Sequence, residues 1–351
     1  MNCQKYLYIF FLTLALCLSF FSTSKAKEFF IDEINIQEKL ENDFNKEKLI
    51  NKGFIIAFEE LMAKLVQSKN LIKIKDIKLN EIKSMIETFT IKEEKFIKNS
   101  YNLNLGVSFD KNKVLDYLEK KNIFPTEIKE ENFLFIPILL DQTNDDIYIY
   151  SNNPLYKRWK SEKDKSNLIN YILPTEDLED LNIIRENYLD IENFDFEEII
   201  EKYFLENSIV AIFFKNKREI KVLSKIYIKD EKVIKSSNFD DVDLKYENEL
   251  DELIVELKTV YEDFWKGKNL INTSIKMPIS IQIDSKNYEL LSKFEKTLNE
   301  IDLISSFSIS SFSKDLIFYE LIFNGTPKNF INIIEKENFN LDTQNKIWIL
   351  K

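Results

Sequence analysis

The 351-residue chain contains no histidine. That removes His-based catalytic triads, the HExxH zinc motif and every imidazole metal ligand. Its two cysteines, Cys3 and Cys17, both fall within the first 26 residues. A chain cleaved behind them has no disulfide, no thiol nucleophile and no zinc ribbon. Glycine is reduced to four residues and proline to six. Four scattered glycines cannot compose a P-loop or a dinucleotide-binding fingerprint, and neither motif occurs. The same scarcity excludes collagen-like and flexible-linker compositions. Past residue 26 no apolar run is long enough to span a membrane.

What is present begins with a three-part leader. Lys5 gives a positive start, Tyr6 to Phe21 is apolar apart from Thr13 and Ser19, and Ser24-Lys25-Ala26 places small residues at −3 and −1 of a cleavage site. This pattern predicts a secretory signal peptide over 1–26 and a periplasmic protein. The apolar run is shorter than the ~20 residues of a spanning helix, so cleavage is expected over retention as an anchor. Contact with a membrane is expected only through this segment if it is kept. Leu16, standing before Cys17 where lipidation takes a small residue, argues against a lipoprotein. Loss of Lys5 and Lys25 with the signal takes the formal charge from −11 to −13. So acidic a chain is a poor partner for nucleic-acid phosphates.

With 44% hydrophobic residues over this length, two or three domains are expected. Periodicity predicts an α+β fold of three small α/β modules, 27–128, 129–268 and 269–351. In the first, a strand over Lys27–Gln37 precedes a helix over Lys46–Gln67, whose Ile50, Phe54, Ala57, Phe58, Leu61 and Leu65 form one stripe. Gly53, four residues before Ala57, suits close packing. A helix over Leu79–Thr88, strands over Thr90–Lys98 and Tyr101–Phe109 and a helix capped by Asp110 follow. In the second, Phe133–Leu140 reads as a strand covered on both faces. A helix over Asp195–Leu205, strands Ser208–Phe214, Arg218–Ile228 and Lys232–Ser236, and a helix from Asn248 to Lys266 stopped by Gly267 complete it. The third alternates strictly at Ile275, Met277, Ile279, Ile281 and Ile283. Its order of elements predicts a ferredoxin-like βαββαβ module.

Two stretches merit a chemical reading. In "ILPTEDLED" the acids Glu176, Asp177, Glu179 and Asp180 follow Pro174. Thr175 can cap a helix there, and carboxylates in its first turn meet free N–H groups and the positive end of the helix dipole. An acid/base pair would need two carboxylates in different environments, and consecutive helical residues point apart. A calcium loop would need a D-x-D-x-D-G pattern, which is absent. No metal and no cofactor are therefore expected. The second stretch, "DDIYIYSNNPLYKRWK", gathers Tyr148, Tyr150, Tyr156, Arg158 and Trp159. Aromatics beside cations favour protein interfaces, and alternation with Ile147 and Ile149 would turn Tyr148 and Tyr150 outward. Packing of a hairpin and its loop is the structural alternative.

The stretches "GFIIAFEELMAKLVQS", "YNLNLGVSFDKNKVLDYL", "FLFIPILLDQ" with "NNPLYKRWK", "LPTEDLED" with "FDFEEIIEKYFLENSIVAIF", and the terminal "IWIL" occur in that order. Together the chain resembles an exported bacterial family of uncharacterised proteins, the domain of unknown function 2066 family. That resemblance implies a cell-envelope location and supplies no catalytic residues. The expectation is a non-catalytic binding or scaffolding protein of the envelope whose partner is another envelope protein. The rival is a carboxylate-dependent hydrolase of envelope glycans or peptides. A membrane-tethered spacer is the third reading.

Overall fold

The computed structural model describes residues 29–40, 44–161, 166–229, 231–272, 275–301 and 303–351. The segment read as a signal lies outside the described residues. The chain is an α+β protein built on three separate sheets.

In the first sheet, β3 (Ser100–Phe109) lies between β1 (Phe30–Lys39) and β2 (Ile86–Ile97), antiparallel to both. Against it pack α1 (Lys46–Leu65), α2 (Ser68–Leu71), α3 (Leu79–Met85) and α4 (Lys111–Lys120), around a core containing Ile36, Phe58, Leu61, Leu105 and Leu118. A Cβ on Gly53 would fall 2.5 Å from Leu105 Cδ1 and 2.6 Å from Ile36 Cδ1, so α1 approaches the sheet as closely as a side chain would forbid. The helix expected over Leu79–Thr88 ends at Met85, because Ile86 and Thr88 are drawn into register with Phe109 and Ser108.

The second sheet has β4 (Glu131–Asp141) and β7 (Asn207–Asn216) parallel at its centre, then β8 (Glu219–Ile228) and β9 (Glu231–Phe239) antiparallel beyond them. The other side of β4 is shared by β5 (Asp146–Tyr148) and β6 (Ile169–Ile172). One face carries Phe135 and Phe213, which meet Leu257 and Tyr261 of α8 (Glu247–Lys268). The opposite face carries Ile136, Val210 and Ile212 beneath α6 (Leu178–Glu186) and α7 (Glu197–Glu201). Both faces of β4 are covered, which accounts for its unbroken apolar run. Three readings need correction. The stretch after β5 is a helix, α5 (Pro154–Ser161), with Asn153 Oδ1 accepting from Leu155 N at 3.0 Å. The helix expected over Asp195–Leu205 is only the five residues of α7, because Phe204 turns left-handed at φ 52°. Gly267 does not stop α8, which continues to Lys268.

The third sheet runs β11-β12-β10-β14-β13, from β10 (Met277–Asp284), β11 (Ile304–Phe312), β12 (Leu316–Phe323), β13 (Leu341–Asp342) and β14 (Trp348–Leu350). Between them lie α9 (Tyr288–Glu300) and α10 (Pro327–Lys336). The order matches a split βαβ module through β10, but β14 runs parallel to β10. A strand returning from β12 through one helix would run antiparallel there. The chain instead places β13 outermost and folds back, so β14 takes the slot beside β10. The terminal hairpin thus separates this module from the ferredoxin-like pattern.

Few glycines have a visible backbone consequence. Among the described residues no glycine has positive φ, and nine other residues do, including Lys98, Lys217 and Lys229 at hairpin turns and Asn122 and Asn338 behind helices. Left-handed backbone that glycine would adopt freely is imposed here on residues bearing a Cβ.

The modules are joined by charged side chains. Lys266, near the C-terminus of α8, donates to the carbonyls of Ala63 and Val66 at the end of α1. Asp263 accepts from Ser68 N at 2.7 Å. Lys111, at the start of α4, donates to Ile301 O of the third module at 3.3 Å. Burial pushes the Lys111 ammonium down to about 8, from 10.5 in the open chain. The unfolded chain therefore binds this proton more tightly between those values, and stability attributable to Lys111 rises with pH across that window. Below pH 8 the ammonium is charged in both states and its burial cost is present in full. The difference is roughly 3 kcal/mol. Denaturant unfolding from pH 7 to 10 should show Lys111→Met more stable than wild type at pH 7, with the gap closing as pH rises. A constant gap would contradict this.

Candidate functional site

The aromatic stretch and the acidic run meet in space. Tyr156 Oη donates to Pro174 O at 2.7 Å, and Tyr203 Oη accepts from Thr175 N at 3.1 Å. Glu176 Oε1 accepts from Ser151 N at 3.2 Å. The cap of α6 is Asp177, not Thr175: its Oδ1 accepts from Glu179 N at 2.7 Å and Asp180 N at 3.4 Å. Asp180 turns inward, fully buried, and its Oδ1 meets Lys202 Nζ at 2.6 Å. Asp177 and Glu179 stand farther from that ammonium, at 3.9 and 3.7 Å. The hydrogen bond that Lys202 donates to Asp180 holds its ammonium above the ordinary range.

The aromatic residues divide between two cores, so no continuous exposed aromatic patch forms. Trp159 is buried and stacks on Phe135 at 3.9 Å between centroids, under α8. Tyr150 is buried on the opposite face. Burial first, then the charge of Asp180, holds its phenol above the ordinary range. Tyr148 and Tyr156 are half-buried. Arg158 is bound bidentately by Asp251 at 2.5 and 2.6 Å. Reading 148–159 as a loop hid the division: a helix beginning at Pro154 turns Leu155 and Trp159, four apart, toward the sheet.

A second locus was not visible in the sequence. A cleft of about 790 Å³ opens between α7 and the β8–β9 end of the second sheet. Asp195, Glu197, Glu201 and Glu206 lie on the α7 side, with Ile200 and Leu205. Lys229, Glu231 and Lys232 come from the β8–β9 turn, and Glu231 is ion-paired with Lys268 at 2.5 Å. Ser208 and Tyr227 are cross-strand neighbours in the floor. Each has a buried hydroxyl with no hydrogen-bond partner within the protein. Burial pushes the Tyr227 phenol up to about 12, with Asp195 and Glu197 adding to the shift. At neutral pH it is therefore a protonated donor. The sequence signal that could have found the floor is Ser208, a polar residue sharing a strand face with Val210, Ile212 and Phe214; Tyr227 gives no such signal, because its face also carries Lys221 and Lys225.

Among the described residues no three acids converge closely enough to share a metal ion. No described helix is long and apolar enough to cross a membrane. No family model matches the chain, and no curated protein matches it.

The Asp180–Lys202 contact is expected to support the fold. Lys202→Met, which strands a buried carboxylate, should lower the melting temperature by several degrees. Adding Asp180→Asn should recover most of that loss, because the uncompensated charge goes with it. If Lys202→Met melts with wild type, the pair is not structural.

Proposed function

We propose that this chain is a non-catalytic binding protein of the cell envelope that docks another envelope protein by strand addition along β11. The observation that carries the reading is the character of that edge. Leu303–Ser313 contains no charged residue and no proline, and β11 is an outermost strand. Along it, Ile309 and Phe312 are 52% and 75% exposed. Other long edges are guarded by charge. β1 carries Asp32, Glu33, Glu38 and Lys39; β2 carries Glu87, Lys92, Glu93, Glu94 and Lys95; β9 carries Glu231, Lys232 and Lys235. An open strand lacking such guards is a template for another chain's backbone. In a chain of net charge −11, it is also a place where a partner meets little like-charge repulsion.

The hydrolase reading requires an acid of 176–180 facing a second acid across a cleft. It draws no support from this run, where Asp177 caps a helix, Asp180 is paired with Lys202 and Glu176 accepts a backbone amide. The envelope location rests on the leader-like 1–26 and on the resemblance to the exported family.

Photo-crosslinkers placed in cells at Ser308 and at Ser310 are expected to capture one partner, with crosslinks mapping to an extended segment of it. Ser308→Lys with Ser310→Lys should abolish that complex without lowering the melting temperature. Equal capture from the guarded edge at Lys235, or survival of the complex in the lysine variant, would contradict the proposal.

A further inference from the structure

The cleft beside α7 lies on a different sheet from β11, and nothing in the docking reading uses it. Its floor brings two unpartnered hydroxyls side by side. Ser208 is 1% exposed, and neither its hydroxyl nor that of Tyr227 has a partner. A buried hydroxyl left without a hydrogen bond carries a desolvation cost that a bound polar group would offset. The walls differ in charge. Four carboxylates lie on the α7 side, while Lys229 and Lys232 stand on the other, where the one acid, Glu231, is paired with Lys268. Ile200 and Leu205 add apolar surface between the charged groups.

We propose that this cleft binds a short peptide with free termini: its ammonium toward the α7 carboxylates, its carboxylate toward Lys229 and Lys232, and its amide groups on the hydroxyls of Ser208 and Tyr227. A point cation is a poorer fit, because the acids do not converge on one position. A purely cationic ligand would face two lysines, and a purely anionic one four carboxylates. A zwitterion of peptide size satisfies both walls, and the volume lies in the range of small-ligand sites. Tyr227, protonated at neutral pH, can donate to a peptide carbonyl, and Ser208 can donate or accept.

The test uses the protein with trialanine and trileucine, their N-acetylated and C-amidated forms, and spermidine as a cation-only control, all by calorimetry at matched ionic strength. One equivalent of a free tripeptide is expected to bind, and blocking either terminus should weaken it at least tenfold. The variant Ser208→Ala with Tyr227→Phe removes two unpartnered hydroxyls. It should melt no lower than wild type yet bind the free peptide at least tenfold more weakly. Equal binding of blocked and free peptides, binding of spermidine alone, unchanged affinity in the double variant, or no tripeptide binding would each overturn the proposal.

Discussion

Charged side chains in this protein hold the backbone around the ends of its elements, and the attachment of the first module to the second depends on that. Lys266 donates to two carbonyls at the end of α1. Glu262, one turn earlier on α8, accepts from Leu168 N at 3.0 Å and Ile169 N at 2.9 Å, fixing the start of β6. Asp263 accepts from Ser68 N at the head of α2. Lys225, buried on the α7 side, donates to Phe194 O at 2.7 Å. Each meets an amide or carbonyl at an element end or, for Phe194, in the loop before α7, that would otherwise be desolvated without a partner. The long helix α8 is therefore both the cover of one core and the beam to which the first module is attached.

This use of charge follows from composition. A chain poor in glycine cannot end helices and hairpins with the residue that most readily adopts the left-handed conformation. Here lysine, asparagine and aspartate stand at such turns, and lysine ammonium groups reach carbonyls that a glycine-based cap would have satisfied. The acidic run before α6 belongs to the same pattern. Asp177 caps, Glu176 holds Ser151 N, and Asp180 meets Lys202. These groups are fixed in structural contacts.

Much of the architecture was legible in the sequence because the signals were periodic. The stripe of α1, the two-faced run of β4 and the alternation of Ile279, Ile281 and Ile283 depend on burial patterns that sequence records directly. What stayed hidden depended on distant partners. Trp159 looked available for binding until α5 placed it against Phe135. Gly267 looked like a stop signal, but α8 carries on to Lys268, past close approach to Gln67. The direction of β14 was set by a short terminal hairpin with no distinctive composition. The acidic run does stand at a helix start, but the cap expected at Thr175 is Asp177, so Glu176 lies before the helix and only Glu179 and Asp180 occupy its first turn. The cleft was illegible because its floor and walls come from separated segments, and only strand pairing brings Ser208 beside Tyr227.

Amide hydrogen exchange in Glu262→Gln tests the central claim most directly. Both carboxylate oxygens of Glu262 accept backbone amides, whereas a glutamine of nearly the same shape offers one acceptor oxygen. Exchange at Leu168 and Ile169 should accelerate, while the β7 amides from Val210 to Phe213 keep their protection. Unchanged exchange at Leu168 and Ile169 would show that this buried charge does not hold the backbone, and the account would fail with it.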